Sequence, residues 1–423
     1  MPPPGAAHDE PNPFTMKLDV TFVRKQFPAF SEPTLRGWAF FENAGGSYPC
    51  RQVVQRLTGF YMKNKVQPYY PYPASMRAGE MMDEAYDRMG AYLNADASEI
   101  HFGPSTTQNV YVLANAMRPM WEKGDEIIVS CQDHEANAGA WRRLANRGIK
   151  VTEWHVDPDS GILHVEDLEG LITDRTRLIA YPHCSNVIGH VNPVKAISQL
   201  AHRHNALTVV DGVGWAPHGF PDVKELDADI YLFSSYKTFG PHLGVMYVRK
   251  DLVGKMENQS HFFKEGISRS MLTPAGPDHA QIAAAAGILE YFDALYEHHF
   301  ADKAPPEIRN KELCGLFRRH ENTLLEPLLE FLRSRDDVRI VGPESMEHRA
   351  PIVSILPRKK SVKEVYTALT GQQLMLGMGD FYAVRPLKDM NIPAAPGVIR
   401  MSFLHYTNAS EIEQLIAGLR AAL

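Results

Sequence analysis

Two stretches decide the fold: Ala206-Leu-Thr-Val-Val-Asp211-Gly212 and, further on, Ile230-Tyr-Leu-Phe-Ser-Ser-Tyr-Lys237-Thr-Phe-Gly-Pro-His242. Each is a short β-branched or aromatic run that ends abruptly in polar residues. Runs this short, bounded by turn residues, read as buried strands rather than helices. Working outward, Ile127–Ser130 follows the turn signal Gly124-Asp125, and Val151–Val156, Leu178–Pro182 and Val245–Val248 repeat the pattern. Helical periodicity fills Ala136–Arg147 and Val194–His204 between them. Strands alternating with helices predict an α/β unit, a mostly parallel sheet with helices on both faces. Such sheets bind ligands beyond the carboxyl ends of their strands.

The polar residues at those ends form a constellation. A lone Lys237 would ordinarily be a solvated surface residue. Here an acid, Asp211, ends a buried strand, and a buried carboxylate needs a cationic partner. The protonated pyridine nitrogen of pyridoxal 5′-phosphate (PLP) is such a partner, and Lys237 could form the imine. Phe102-Gly-Pro-Ser-Thr-Thr-Gln-Asn109 precedes the helical Val110–Met117, so its hydroxyls and free amides either simply cap a helix or offer a phosphate site at its N-terminus. Asp133-His134-Glu-Ala-Asn137 follows one strand, with His134 placed to stack on a flat ring. His183-Cys-Ser-Asn186-Val-Ile-Gly189 follows another, with Asn186 either a turn residue before Gly189 or a hydrogen-bond partner for the phenolic oxygen.

Together with Phe239-Gly-Pro-His-Leu-Gly244 and Val-Ile-Arg400-Met-Ser-Phe, these segments resemble the class V aminotransferase family, in its cysteine-desulfurase-like branch, over roughly residues 18–423. The resemblance implies PLP fold type I: an α/β domain with a mostly parallel seven-stranded sheet flanked by helices, and a smaller α+β C-terminal domain. The corresponding division is a disordered tail at 1–17, an N-terminal arm of the small domain at 18–40, the large PLP-binding domain at 41–300 and the small domain at 301–423. The composition break near His298-His299-Phe300 and the turn-rich Asp302–Pro306 marks the last boundary. Beyond it a long helix over Glu307–Arg333, strands at Val338–Val341, Ile352–Leu356 and Val398–Phe403, and helices from Val362 and Ala409 are expected. The family pattern implies that Thr106, Thr107, Ser234 and Tyr236 contact the cofactor phosphate. It implies that His134 stacks on the ring, Asn186 and Asp211 bind its polar atoms, and Lys237 holds it as a Schiff base. Lys237, Asp211 and His134 are the expected catalytic set. Arg400 resembles the clamp for the substrate α-carboxylate, with Asn186 and Asn43, in the pocket segment Phe41-Glu-Asn-Ala-Gly-Gly46, as further substrate contacts.

Departures narrow the activity. The loop that carries the sulfur-accepting cysteine in desulfurases reads Gly377-Met-Gly-Asp-Phe-Tyr-Ala-Val-Arg-Pro386 and has no cysteine. Phe381 and Tyr382 stand nearest that place, with Asp380 and Arg385 adding charge. Gly214 occupies a position where the family often has Gln or His. In Thr273-Pro-Ala-Gly276-Pro-Asp278, the loop that resembles one donated by a neighbouring subunit, Gly276 replaces the usual threonine. The implied function is PLP chemistry on an α-amino acid through an external aldimine, favouring a lyase-type reaction, either side-chain elimination or decarboxylative carbon–carbon chemistry. Transamination and epimerisation are the alternatives, and a PLP-binding pseudoenzyme is the alternative of another class.

Composition agrees with this reading. Forty-four basic against 50 acidic residues leave a net charge of −6, which disfavours a nucleic-acid partner. No apolar run approaches the ~20 residues of a membrane span, and no signal peptide is read at the N-terminus, so a cytoplasmic protein is expected. Cys50, Cys131, Cys184 and Cys314 are scattered without a CxxC pair, which predicts neither a disulfide framework nor a metal site. The expected partners are a small amino-acid substrate and a second copy of the chain, as a homodimer.

Overall fold

A computed structural model describes residues 16–423; most of the expected tail therefore lies outside the described residues. Seven strands build the large sheet: β1 (Ile100–Gly103), β2 (Glu126–Ser130), β3 (Lys150–Trp154), β4 (Thr176–Pro182), β5 (Leu207–Asp211), β6 (Ile230–Ser234) and β7 (Gly244–Val248). Their order is β1-β7-β6-β5-β4-β2-β3. Only β7 runs antiparallel to its neighbours. This is the mostly parallel seven-stranded sheet expected from the sequence.

Apart from the edge strand β3, which stays partly exposed, the strands are largely buried on both faces, which explains their mostly apolar character. Alternate side chains feed two separate cores, as the two-residue period of a strand requires. Ile128, Ile179, Val210, Tyr231, Phe233 and Val245 join one core, with the apolar helix His279–His299. Ile127, Val129, Leu178, Val209, Ile230 and Met246 join the other, with Val110, Leu113 and Met117 of the helix Thr106–Met117.

A second, antiparallel sheet has the order β10-β11-β9-β8, from β8 (Val338–Val341), β9 (Ile352–Pro357), β10 (Gly377–Gly379) and β11 (Val398–Ser402). A parallel pair, Ala39–Phe40 with Leu374–Met375, adjoins the same core. The helix Pro306–Arg333 serves both cores: Leu313, Leu316 and Phe317 pack in the large one, and Leu324, Leu325, Leu328 and Leu332 in the small one. Near the N-terminus, Phe27 packs its ring against Phe239, Tyr291 and Tyr406.

The turn after β4 is fastened to the small sheet. Ser354 Oγ donates to the Val187 carbonyl at 2.6 Å, Ala350 N to the Gly189 carbonyl at 2.9 Å and Val191 N to the His348 carbonyl at 2.8 Å. Gly189 has φ +74°, and a Cβ there would stand 2.2 Å from the Ile352 carbonyl, so only glycine permits this approach.

Two local expectations need correction. The helical pattern at Ala136–Arg147 is not one helix. It forms a 3-10 turn at Glu135–Asn137, a single α-turn at Gly139–Arg142 and another 3-10 segment at Arg143–Arg147. The Asn137 side chain is drawn aside to Asp133 and to Trp141 Nε1, which competes with regular helix hydrogen bonding. The stretch from Gly377 to Pro386 is also more ordered than a loop, since it contributes β10 and opens the short helix Val384–Asp389. Among the described residues, no helix is long and apolar enough to cross a membrane.

Candidate active site

A cavity of about 410 Å³ opens at the carboxyl ends of β2, β4, β5 and β6. Thr106, Thr107, His134, Asn186, Asp211, Ser234, Tyr236 and Lys237 all line it. β5 ends at Asp211, whose Oδ1 accepts a 2.8 Å hydrogen bond from Val213 N. Burial raises this carboxyl to about 6, against the pull of the Val213 amide and of Lys237. β6 runs into the 3-10 turn Ser235–Lys237, which turns the lysine into the cavity at 8% exposure. Burial and the neighbouring Arg400 lower the Lys237 amine to about 8, while Asp211 and Glu42 pull the other way. An amine in that range is partly neutral near pH 7, as an imine-forming and proton-carrying group must be.

The helix Thr106–Met117 points its N-terminus at the same space. Ser105 caps it by accepting from Gln108 N, and Thr106 Oγ1 lies 2.8 Å from Ser234 Oγ. Gly244 keeps the backbone close, since a Cβ there would meet Thr106 N at 2.6 Å. Tyr236 stacks on His242 with ring centroids 4.6 Å apart. His134 accepts from Ala136 N through Nδ1 and faces Tyr382 at 5.2 Å. Burial, with Lys237 and Arg400 nearby, lowers the imidazole to about 4, so it is neutral at physiological pH.

A profile of the family described as aminotransferase class-V matches residues 39–270 and 314–415. The chain belongs to the class V aminotransferase family. It is 32% identical over 416 residues to the aminotransferase-like protein FGM3 of Gibberella zeae, covering 96% of this chain and 99% of that one. It is 30% identical over 436 residues to the cysteine desulfurase-like protein ustD of Aspergillus flavus, covering 98% and 93%. The fold superimposes on the apo cysteine desulfurase of Thermococcus onnurineus NA1 with a TM-score of 0.81 at 23% identity, over 99% of each chain.

The family is PLP-dependent, and the residues present fit that cofactor. A helix N-terminus with hydroxyls suits the phosphate. A buried acid opposite a lysine suits the pyridine nitrogen and the aldehyde. A neutral imidazole suits the ring face. Asn186 leaves its Oδ1 buried without a partner among the described residues, while its Nδ2 donates to the Phe381 carbonyl at 3.0 Å. Gly214 has no room for a side chain, since a Cβ would meet the Cys184 carbonyl at 2.5 Å, and Trp215 stacks on His183 instead.

Arg400 and Asn43 are placed differently from the rest. Asn43 lies away from the cavity wall: its Nδ2 donates to the Ser402 carbonyl at 2.9 Å and its Oδ1 accepts from the Tyr406 hydroxyl. Its amide is used to tie the N-terminal segment to β11. Arg400 is 2% exposed and sits behind the wall, covered by Phe381 and paired with Glu42. Glu42 carries a central contact that the sequence signals only by its being the one charged residue of Phe41–Gly46. Asp133 also lines the cavity, with Oδ1 unpartnered among the described residues. Burial, reinforced by Asp211, holds its carboxyl well above the usual range.

The loop Thr273–Asp278 borders a second cavity of about 860 Å³ that shares Ser105, Tyr111 and His242 with the first. Cys131, Glu153 and His155 bring their ligand atoms within 4.8 Å of one another. Arg142 and Arg385 share one oxygen of the Glu153 carboxylate, and His155 Nδ1 bonds Asp389 at 2.9 Å.

Proposed function

We propose that this PLP enzyme acts on an α-amino acid by a lyase-type reaction on its side chain, and that it does not relay a persulfide. The observation that carries this reading is the Gly377–Pro386 segment, which supplies Phe381 and Tyr382 where a sulfur-accepting thiol would be needed. Burial pushes the Cys131 and Cys184 thiols, the cysteines nearest the site, up to about 12. A thiol in that range is a poor nucleophile at neutral pH. With no group to capture a side-chain fragment, cleavage ends in its release or in its replacement by a new carbon–carbon bond.

Bound PLP supplies an electron sink for charge developing at the substrate α-carbon. In this reading Thr106, Thr107, Ser234 and Tyr236 hold the phosphate, and Asp211 keeps a proton on the pyridine nitrogen. His134 covers one ring face. Asn186 binds the phenolic oxygen and borders the substrate. Lys237 anchors the cofactor aldehyde and, once released, moves a proton at the α-carbon. Arg400 receives the substrate α-carboxylate, a role suited to a planar, always-charged fork. The protein works as a homodimer. The stacked, exposed Tyr70 and Tyr72 and the exposed Phe262–Phe263 pair support that reading, because apolar side chains exposed in groups mark association surfaces.

The test is a panel of amino acids offered to the holoenzyme, with the cofactor spectrum and the products followed together. Release of a side-chain fragment, or its exchange for an added aldehyde, is expected. Transfer of the amino group to a keto acid with the side chain intact would make the protein an aminotransferase. No spectral response to any amino acid would leave a binding protein without turnover.

A further inference from the structure

Arg400 has every approach covered by the chain itself. Nη1 donates to the Asn186 carbonyl at 3.0 Å, Nη2 meets the Glu42 carboxylate, and the Phe381 ring centroid lies 3.8 Å from the guanidinium carbon. Nε is buried and has no partner among the described residues. A substrate carboxylate therefore reaches this arginine only by replacing something. The Asn186 carbonyl belongs to the turn fastened to the small sheet, so it is the least movable of the three. The Glu42 carboxylate is chemically the same group as the newcomer.

The chain is shaped to hold that carboxylate. A Cβ on Gly45 would stand 1.8 Å from Glu42 Oε2, and one on Gly377 would stand 2.9 Å from Oε1 and 2.7 Å from the Phe381 ring. Two glycines from distant parts of the sequence thus keep open a slot of carboxylate size. The cap over it is also unusual. Phe381 and Tyr382 both have left-handed backbone, φ +53° and +57°, which bulky residues rarely adopt. Three hydrogen bonds hold them there: Asn186 Nδ2 to the Phe381 carbonyl, Tyr382 N to Asp380 Oδ1 at 2.9 Å, and Glu135 N to the Tyr382 carbonyl at 2.9 Å. Backbone preference therefore does not oppose the opening of the cap.

We propose that Glu42 is a displaceable internal carboxylate that occupies Arg400 until the substrate's own carboxylate takes its place, making Glu42 a specificity-determining residue of the site. This rests on the reading of Arg400 as the partner of the substrate α-carboxylate. Exchange of one carboxylate for another preserves the charge balance at a buried cation, whereas a neutral ligand cannot make the exchange. Affinity for an amino acid is then set by competition with Glu42 and not by Arg400 alone.

The test titrates the holoenzyme with L-alanine and with L-alaninamide, reading binding from the cofactor absorbance, with circular dichroism as a check on folding. Glu42→Gln removes the competing charge. Gly45→Ala keeps it and clashes with the Glu42 carboxylate, which must shift from its place on the arginine; the backbone there is not left-handed, so the strain falls on that side chain. Both variants should tighten L-alanine relative to the amide by about tenfold. An unchanged or reduced preference in both variants, with the preference lost in Arg400→Ala, would overturn the proposal and leave the arginine reading standing. A preference for L-alanine that survives Arg400→Ala would overturn the arginine reading itself, and the proposal with it.

Discussion

Replacing Lys237 by methionine should make the apoprotein more stable while removing its ability to hold PLP. Lys237 is 8% exposed, and its amine is lowered from its ordinary 10.5 to about 8, with burial as the largest cause. That displacement corresponds to on the order of 3 kcal/mol of folding free energy at neutral pH. The sign follows from proton binding. Below pH 8 both folded and unfolded chains carry the proton, and the folded state bears the full cost. Between 8 and 10.5 the unfolded chain binds more protons, so wild-type stability rises with pH. Above 10.5 the cost is gone. Methionine is similar in length, carries no charge and suits a buried site. Urea unfolding of both apoproteins should therefore show Lys237→Met ahead by up to ~3 kcal/mol at pH 7, with the gap closing as pH approaches 10. A variant that is less stable at pH 7, or a gain that does not change with pH, would refute the account of a lysine held at the expense of folding.

Uptake of PLP by the wild-type apoenzyme should accelerate with pH and level off above about 8, because the Lys237 amine attacks only when neutral; a flat profile measured by absorbance would count against Lys237 as the anchor. Incubation with L-cysteine should leave no enzyme-bound persulfide by mass spectrometry, and Cys184→Ala should keep turnover within about threefold, a ΔΔG‡ under 1 kcal/mol. A persulfide on Cys131 or Cys184, lost together with activity on mutation, would reverse that. Light scattering should report a dimer, weakened by Tyr70→Glu on the exposed aromatic surface; a fully active wild-type monomer would refute the dimeric reading.

Much of the fold is legible in the residues because the central strands are buried on both faces. Ile230–Phe233 and Val245–Val248 are apolar throughout, and nothing but a sheet interior demands that over so short a run. The convergence of Asp211, Lys237, Asn186 and Thr106 on one cavity is legible for a related reason, since a parallel sheet delivers all its strand ends to one edge. The periodicity of Ala136–Arg147 does not signal the broken helix, because it is blind to Asn137 turning its side chain inward. Glu42 escaped notice because its meaning depends on Gly45, Gly377 and Arg400, which meet only in the folded chain. The covering of Arg400 by Phe381 depends on left-handed backbone at two bulky residues, and residue type argues against that conformation rather than for it.

The fastening of the turn after β4 to the small sheet bears on how this protein can be recombined with its relatives. Asn186, Gly189 and the Arg400 strand are joined by short contacts across some two hundred residues of sequence, and the Gly189 approach tolerates no Cβ. A hybrid that takes its C-terminal part from a relative and keeps this turn would meet a foreign Ile352 carbonyl and a foreign Ser354. The unit of exchange is therefore discontinuous: residues 185–191 travel with residues 348–402, and a crossover that separates them breaks the wall of the cavity even where each half folds.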